Sequence, residues 1–286
     1  MAATAEPEAL RALAKLLRRN DRDRFLLSLF APAERREAVM AVYAFNYEIA
    51  RIRETVSEPL LGRIRLQWWR ERLEAAYQNV AVQGHEVLQP LAAAIRRFDL
   101  DGALFERLME AREHDLGGES PATMAVLEAY AEESSAPLQL LVLDILGISG
   151  TVAKAAAREI GIAYALAGIL RAIPFDAAAR RHRLPAALVA KAGLDVEKLF
   201  AGGASAPLAD IVREIADRAE AHLTAARSNR RHVPRTALPA LLPAILAAAD
   251  LRRLRRARYQ VFDPALARPD PLRSWRLTAA ALARRY

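Results

Sequence analysis

Hydrophobic residues recur every three or four positions along almost the whole chain. One stripe consists of Leu10, Leu13 and Leu17, and another begins at Val39 and Val42. Such spacing places the side chains on one face of an α-helix. Ala, Leu, Arg and Glu, which favour helices, dominate the chain, and the alternation typical of strands is scarce. The pattern predicts an all-α fold of eight to twelve helices.

Short turn-forming segments separate the predicted helices. Asn20-Asp21 can cap a helix, Pro32 can begin one, and Gly117-Gly118 and Gly202-Gly203 are further joints. No long linker, internal repeat or low-complexity tail interrupts the pattern. We therefore predict one domain over residues 1–286.

The composition limits the kinds of functional site that the chain can contain. The chain of 286 residues is 53% hydrophobic, has no cysteine and has only five histidines, none at a metal-binding spacing. These numbers allow a large core and exclude disulfide frameworks, thiolate metal sites and cysteine nucleophiles. The net charge of +8 favours an anionic partner such as a phosphate, an acidic protein or a membrane surface. Nucleic acid is not expected, because no recognised nucleic-acid-binding motif accompanies the arginines.

No segment is predicted to span a membrane. The longest uninterrupted apolar run, 237–249, is too short, and Glu6 and Glu8 stand where a secretory signal would be apolar or basic. The run precedes five arginines, so it is either a face that lies on anionic lipid or a core helix with a basic edge. Those arginines are Arg252, Arg253, Arg255, Arg256 and Arg258.

Three segments are candidates for function. Residues 41–55 predict a buried helix on which Glu48, Arg51 and Glu54 are spaced to pair.

In the second segment, 62–77, two adjacent tryptophans cannot share one helix face. One is therefore predicted in the core and the other against a neighbouring helix or a partner.

The third segment, 159–185, combines small residues with positive charge. Gly161, Ala165 and Gly168 would allow another helix to approach closely. The basic residues 180–183 that follow either bind an anion or form a solvated surface.

Together these segments resemble the squalene/phytoene synthase family of head-to-head prenyl transferases. The resemblance implies an all-helical isoprenoid-synthase bundle around a central cavity. It depends on Tyr43-Ala-Phe45, Gln67-Trp-Trp-Arg70, Tyr77, Ile169-Leu-Arg171 and Leu184-Pro185.

The same resemblance implies where a catalytic site would be. In the family, two Asp-x-x-x-Asp motifs hold Mg²⁺, which bridges to the substrate diphosphate. In this chain the first pair of positions holds Ala50 and Glu54, and the second holds Ala172 and Asp176. Each motif has therefore lost one carboxylate, and we expect no catalytic residue, no metal site and no cofactor.

A branch of synthase-like proteins that act in the assembly of respiratory complex I is a closer match. The resemblance implies complex I subunits or assembly factors as partners, and a lipid or prenyl chain as the candidate occupant of the cavity. It also implies a peripheral position on the inner face of the inner membrane, which is the matrix side in a eukaryote. It depends on Asn46-x-Glu48, Arg171-Ala-x-Pro174, Phe262-Asp-Pro264 and Ser274-Trp-Arg276.

Two functions follow from the resemblance. The leading hypothesis is a non-catalytic protein in complex I assembly. The alternative is a Mg²⁺-dependent transferase acting on farnesyl or geranylgeranyl diphosphate, with Glu54 and Asp176 as the remaining metal ligands. In that alternative the diphosphate would be bound by Arg171, Arg180, Arg181 and Arg183.

Overall fold

Sixteen α-helices and two short 3₁₀ turns make up the computed structural model, which describes residues 8–286. This part of the chain contains no strand, so the all-α prediction is confirmed. The helices outnumber the eight to twelve predicted because several joints themselves form helices of four to seven residues. The helices are α1 (Glu8–Asn20), α2 (Arg22–Ser28), α3 (Ala33–Ala50), α4 (Ile52–Thr55), α5 (Pro59–Tyr77), α6 (Leu88–Phe98), α7 (Gly102–Gly117), α8 (Met124–Ile145), α9 (Thr151–Ala178), α10 (Ala186–Ala192), α11 (Val196–Phe200), α12 (Ala206–Ser228), α13 (Leu238–Leu241), α14 (Pro243–Arg256), α15 (Pro264–Ala267) and α16 (Arg273–Leu282).

The longest helix, α9, lies at the centre and packs against α8, α12 and α14. Within residues 8–286 it is the one helix long and apolar enough to cross a membrane by length and composition. More than half of its most apolar window is buried inside the protein, which is the pattern of a core helix. Its apolar surface is thus used for packing against the neighbouring helices.

The contact between α8 and α9 depends on a glycine. A Cβ atom added to Gly161 would lie 2.6 Å from the Cα atom of Ala136, so only glycine fits. The predicted close approach of another helix is confirmed at this position. At Gly168 an added Cβ atom would meet nothing within 4 Å.

An aromatic group fills the core between α3, α5 and α7. The ring of Phe45 meets the rings of Trp69 and Phe105 edge to face, with centroids 5.3 Å apart in both pairs. Trp69 is buried, whereas Trp68 is half-buried and packs on Trp69 and His85. The predicted core position of one tryptophan is therefore confirmed, whereas the other packs on Trp69 of the same helix and on a loop histidine.

The apolar run 237–249 belongs to the core. Leu241, Leu242 and Leu246 have no exposed surface, so the interpretation of this run as a lipid-facing surface is wrong. Proline residues divide the run into α13 and α14. Helix α13 packs on α8 and α9, and α14 packs on α9. Burial against other helices removes the apolar side chains from water as well as a lipid surface would.

The predicted helix over 41–55 is interrupted. Helix α3 ends at Ala50 and α4 begins at Ile52, with Arg51 between them. The predicted pair of Glu48 and Arg51 does form, at 3.4 Å.

Buried apolar residues extend from Leu13 in α1 to Leu277 in α16 without a separate second core. The boundaries 1–286 of a single domain stay a prediction, and Glu6 lies outside the residues that the structure describes.

Candidate functional site

Two cavities flank the C-terminal half of α9. The first cavity has a volume of about 750 Å³ and is bordered by α7, α8 and the segment 181–183. The second cavity has a volume of about 720 Å³ and lies between α2, α9, α14 and the start of α16. The positions of the second motif are divided between them, because Ala172 lines the second cavity and Asp176 lines the first.

In the first cavity, one guanidinium lies between two carboxylates. Nη1 of Arg183 donates to Oδ2 of Asp176 at 3.2 Å, and Nη2 of Arg183 donates to Oδ1 of Asp115 at 3.2 Å. Oδ2 of Asp115 accepts hydrogen bonds from the Tyr130 hydroxyl at 3.0 Å and from Arg112 at 3.3 Å. We call these five residues the Asp115 cluster.

The surroundings keep Arg183 charged. Burial alone would lower the pKa of its guanidinium, but the nearby Asp115, Tyr130 and Asp176 outweigh burial and raise that pKa. Burial also raises the pKa of Tyr130 to about 12, so its hydroxyl stays protonated and can donate to Asp115. The first cavity therefore contains a permanent cation supplied by the protein itself.

The first motif contributes a positive group to the same cavity. Nε of Arg53 donates to the carbonyl oxygen of Asp115 at 3.1 Å, and Arg53 lines the first cavity. Glu54 is exposed and lines neither cavity, and Ala50 lies half-buried at the end of α3. The two remaining acids, Glu54 and Asp176, thus do not line a common cavity.

The donor set does not fit a Mg²⁺ cluster. Among residues 8–286 no group of three or more His, Asp or Glu side chains is placed so that it could hold a metal ion. The carboxylate of Asp176 already accepts from Arg183, and magnesium in proteins requires oxygen ligands in octahedral geometry. We therefore derive no catalytic step through a metal.

The four arginines proposed to bind an anion do not lie together. Arg181 and Arg183 line the first cavity, and Arg171 lines the second. Arg180 lies on the surface, where its guanidinium contacts both carboxylate oxygens of Glu197 at 2.9 Å. Anion binding stays a prediction for these residues, and only Arg181 and Arg183 could act at one site.

A second network of ion pairs lines the second cavity. Nη1 of Arg171 contacts Asp23 at 3.3 Å and Asp250 at 3.0 Å. Arg273 contacts the same two carboxylates at 2.6 and 2.9 Å. The Tyr164 hydroxyl donates to Asp23 at 3.5 Å. This Asp23–Asp250 network joins α2, α9, α14 and α16, and it balances the charge of Arg171 within the protein.

Three of the four acids in the Asp115 cluster and the Asp23–Asp250 network escaped sequence analysis, and Asp176 is the exception. Asp23 lies between two arginines in α2 and Asp115 is one of four acids in α7, so nothing in their spacing distinguishes them. The sequence contains one indication for Asp250. It directly follows 13 apolar residues, so it lies on a helix that reaches the core and can be buried there. A buried acid of this kind needs a cationic partner.

His182 gives the first cavity a pH-dependent group. Its Nδ1 atom lies 3.1 Å from the Ser120 hydroxyl and accepts from the Leu184 N–H at 3.3 Å. Burial lowers the pKa of His182 below its usual value of 6.5, so the folded protein holds this ring neutral at pH 7. Because the unfolded chain takes up a proton there more readily, the free energy of unfolding decreases as the pH falls below about 6.5.

We expect the melting temperature of the wild-type protein to fall more between pH 7.5 and pH 5 than that of the His182→Asn variant. The asparagine oxygen can replace Nδ1 as an acceptor but does not titrate. Thermal unfolding followed by circular dichroism across this pH range measures the difference. Parallel pH profiles for the two proteins would contradict the inference.

The all-α bundle, with cavities beside a long central helix, is of the isoprenoid-synthase type. The sequence profile of squalene/phytoene synthase matches residues 17–278. The chain belongs to the squalene/phytoene synthase family, and the predicted resemblance is confirmed.

Similar proteins include both assembly factors and synthases. Human NADH dehydrogenase (ubiquinone) complex I, assembly factor 6 is 32% identical over 92% of this chain and 81% of its own length. Phytoene synthase from Thermus thermophilus is 32% identical over 71% of this chain and 68% of its own length. The crystal structure of a squalene synthase from Alicyclobacillus acidocaldarius superimposes with a TM-score of 0.75 at 25% identity, covering 89% of this chain and 97% of that one.

Proposed function

We propose that the chain is a non-catalytic synthase-fold protein that acts in the assembly of respiratory complex I at a membrane. The assembly role is supported by the 32% identity to complex I assembly factor 6, which extends over most of both chains. Its partners would be subunits or other assembly factors of that complex. A lipid or prenyl chain in one of the cavities remains a prediction.

The observation that supports a non-catalytic protein is the position of Arg183 between Asp115 and Asp176. A guanidinium does not lose its proton in proteins, so its charge persists at every physiological pH. A divalent ion bound to Asp176 would lie next to this charge, because Nη1 of Arg183 is 3.2 Å from Oδ2 of Asp176. For two unit charges about 4 Å apart at an effective dielectric constant near 20, repulsion is on the order of 4 kcal/mol, and a doubly charged ion doubles it. Metal binding would therefore require Arg183 to leave its two partners.

The alternative, a Mg²⁺-dependent prenyl transferase, is supported by the identity to phytoene synthase of Thermus thermophilus. It would require Glu54 and Asp176 as metal ligands, with Arg183 displaced toward the diphosphate.

We expect the purified protein to form no product from farnesyl or geranylgeranyl diphosphate with Mg²⁺. Product analysis by mass spectrometry, with the Glu54→Ala and Asp176→Ala variants as controls, separates the two functions. Turnover that disappears in both variants would establish the alternative and exclude the non-catalytic proposal.

Genetic complementation tests the assembly role separately. Deletion of the gene in its own organism should lower the amount of assembled complex I on native gels, and the wild-type gene should restore it. A Glu54→Gln variant should restore it equally, because Glu54 is exposed and has no catalytic task under this proposal. Unchanged complex I in the deletion strain would contradict the assembly role.

A further inference from the structure

The C-terminal helix α16 has an apolar face on its outer side. Leu272, which directly precedes it, is 51% exposed, and Trp275 and Leu282 are 73% and 80% exposed. Together with the exposed Ala279, these residues follow at intervals of three, four and three, which places them on one side of the helix. The opposite side packs on α14 and buries Leu277 completely.

The orientation of this face is fixed by the Asp23–Asp250 network. Arg273 of α16 reaches inward to Asp23 and Asp250 and is only 14% exposed. Arg276 on the same helix pairs with Asp270. Three ion pairs and the buried Leu277 therefore hold α16 with its tryptophan outward. The exposed position of Trp275 is a property of the packed fold, because turning it inward would break these contacts.

A further exposed aromatic residue lies beside this face. Phe175, near the end of α9, is 77% exposed, and it lines the second cavity together with Ser274, the neighbour of Trp275. Exposed apolar residues that lie together in this way mark a surface for interaction with another molecule or a membrane.

Positive charge surrounds the apolar face. The exposed residues Arg268, Arg284 and Arg285 make no ion pair with a carboxylate of the described chain. The pKa of Arg252, on the adjoining helix α14, is lowered first by burial and then by the positive charges of Arg276 and Arg256. Several cations therefore lie close together here. An apolar helix face that includes tryptophan and is flanked by free arginines is complementary to the interface of an anionic lipid bilayer.

We propose that α16 is the membrane-docking element of this protein, with Leu272, Trp275 and Leu282 inserted into the interface of an anionic bilayer and Arg268, Arg284 and Arg285 on its headgroups. The inference rests on the membrane location in the proposed function and is independent of the role in complex I assembly. It assigns to α16 the lipid contact that the buried run 237–249 cannot make.

Flotation of the full-length protein with lipid vesicles tests the proposal. We expect binding to vesicles of one part phosphatidylglycerol to two parts phosphatidylcholine, weaker binding at high salt, and little binding to pure phosphatidylcholine. The Trp275→Ser/Leu282→Ser double variant should bind about tenfold more weakly, because both side chains leave the apolar interface.

A matched control removes two exposed apolar side chains elsewhere on the surface. Leu60 and Ile64 of α5 are each 56% exposed, and Leu60→Ser/Ile64→Ser should change vesicle binding less than twofold. Quenching of tryptophan fluorescence by brominated lipid should be lost in Trp275→Phe, since Trp69 is buried and Trp68 is half-covered. Melting curves of every variant verify folding.

No binding of the wild-type protein to anionic vesicles would overturn the proposal, as would equal losses in the two double variants. If the protein bound neutral vesicles as strongly as anionic ones, the proposed contact of the arginines with anionic headgroups would be wrong. None of these results depends on complex I. A failed complementation experiment combined with positive flotation would therefore remove the assembly role and leave the docking helix in place.

Discussion

Replacement of Gly161 by alanine is expected to lower the free energy of unfolding by about 2 kcal/mol. The new Cβ atom would lie 2.6 Å from the Cα atom and 2.8 Å from the backbone N atom of Ala136. Backbone atoms in the middle of α8 cannot rotate away as a side chain would, so the two helices must separate. Overpacking of this kind costs up to about 3 kcal/mol, and the better helix propensity of alanine returns about 1 kcal/mol.

The same substitution at Gly168 is the matched control. Gly168 lies on the same helix, and an added Cβ atom would meet nothing within 4 Å. Only the gain in helix propensity remains, so Gly168→Ala should raise the free energy of unfolding by roughly 0.5–1 kcal/mol. Thermal melts should therefore move in opposite directions, by several degrees downward for Gly161→Ala and by about 2 °C upward for Gly168→Ala. Changes of the same sign and size would contradict the close packing of α8 and α9.

The second large effect is expected from Asp250→Asn, which should lower the free energy of unfolding by about 2 kcal/mol. The substitution keeps the shape of the side chain but leaves Arg171 and Arg273 with one carboxylate, Asp23, between them. The side chains of Asp250 and Arg273 are only 11% and 14% exposed, so water screens their interaction poorly. The cost is smaller than the 3–5 kcal/mol typical of a broken buried pair because Asp23 stays in place and Arg171 is half-exposed.

Asp210→Asn provides the comparison for this prediction. Asp210 pairs with Arg213 on the surface, where the two side chains are 60% and 53% exposed. The change in net charge is the same, yet the free energy of unfolding should change by less than about 0.5 kcal/mol. Urea denaturation of both variants measures the difference. Equal effects would mean that the Asp23–Asp250 network contributes no more than an ordinary surface pair.

The sequence predicted the features that depend on regular spacing. Leu13 and Leu17 recur at helical intervals, and both are buried as expected. Gly161 was predicted to permit close helix packing because it stands among other small residues on an apolar helix. These predictions succeed because burying one face of a helix requires a periodic pattern, which can be seen in the chain itself.

The ion-pair networks have no such pattern. Asp115 and Arg183 are 68 positions apart, and Asp23 and Arg273 are 250 positions apart. A charged residue can occupy any exposed helix position, and only the packing of the helices decides which charges meet. The apolar run 237–249 was misinterpreted for a related reason. A segment that faces lipid and a segment that faces the protein core have the same composition, so the sequence does not distinguish them.

Arg183 also changes how the stability of the protein depends on its surroundings. Where carboxylates are neutralised by a dissolved ion, the folded state is stabilised in proportion to the logarithm of the free ion concentration once the site is filled. A guanidinium on the same chain is present once per molecule and cannot be diluted or chelated. The charge balance between Asp115 and Asp176 is therefore set when the chain folds. Under the non-catalytic proposal, this charge balance does not depend on the magnesium concentration of the cell.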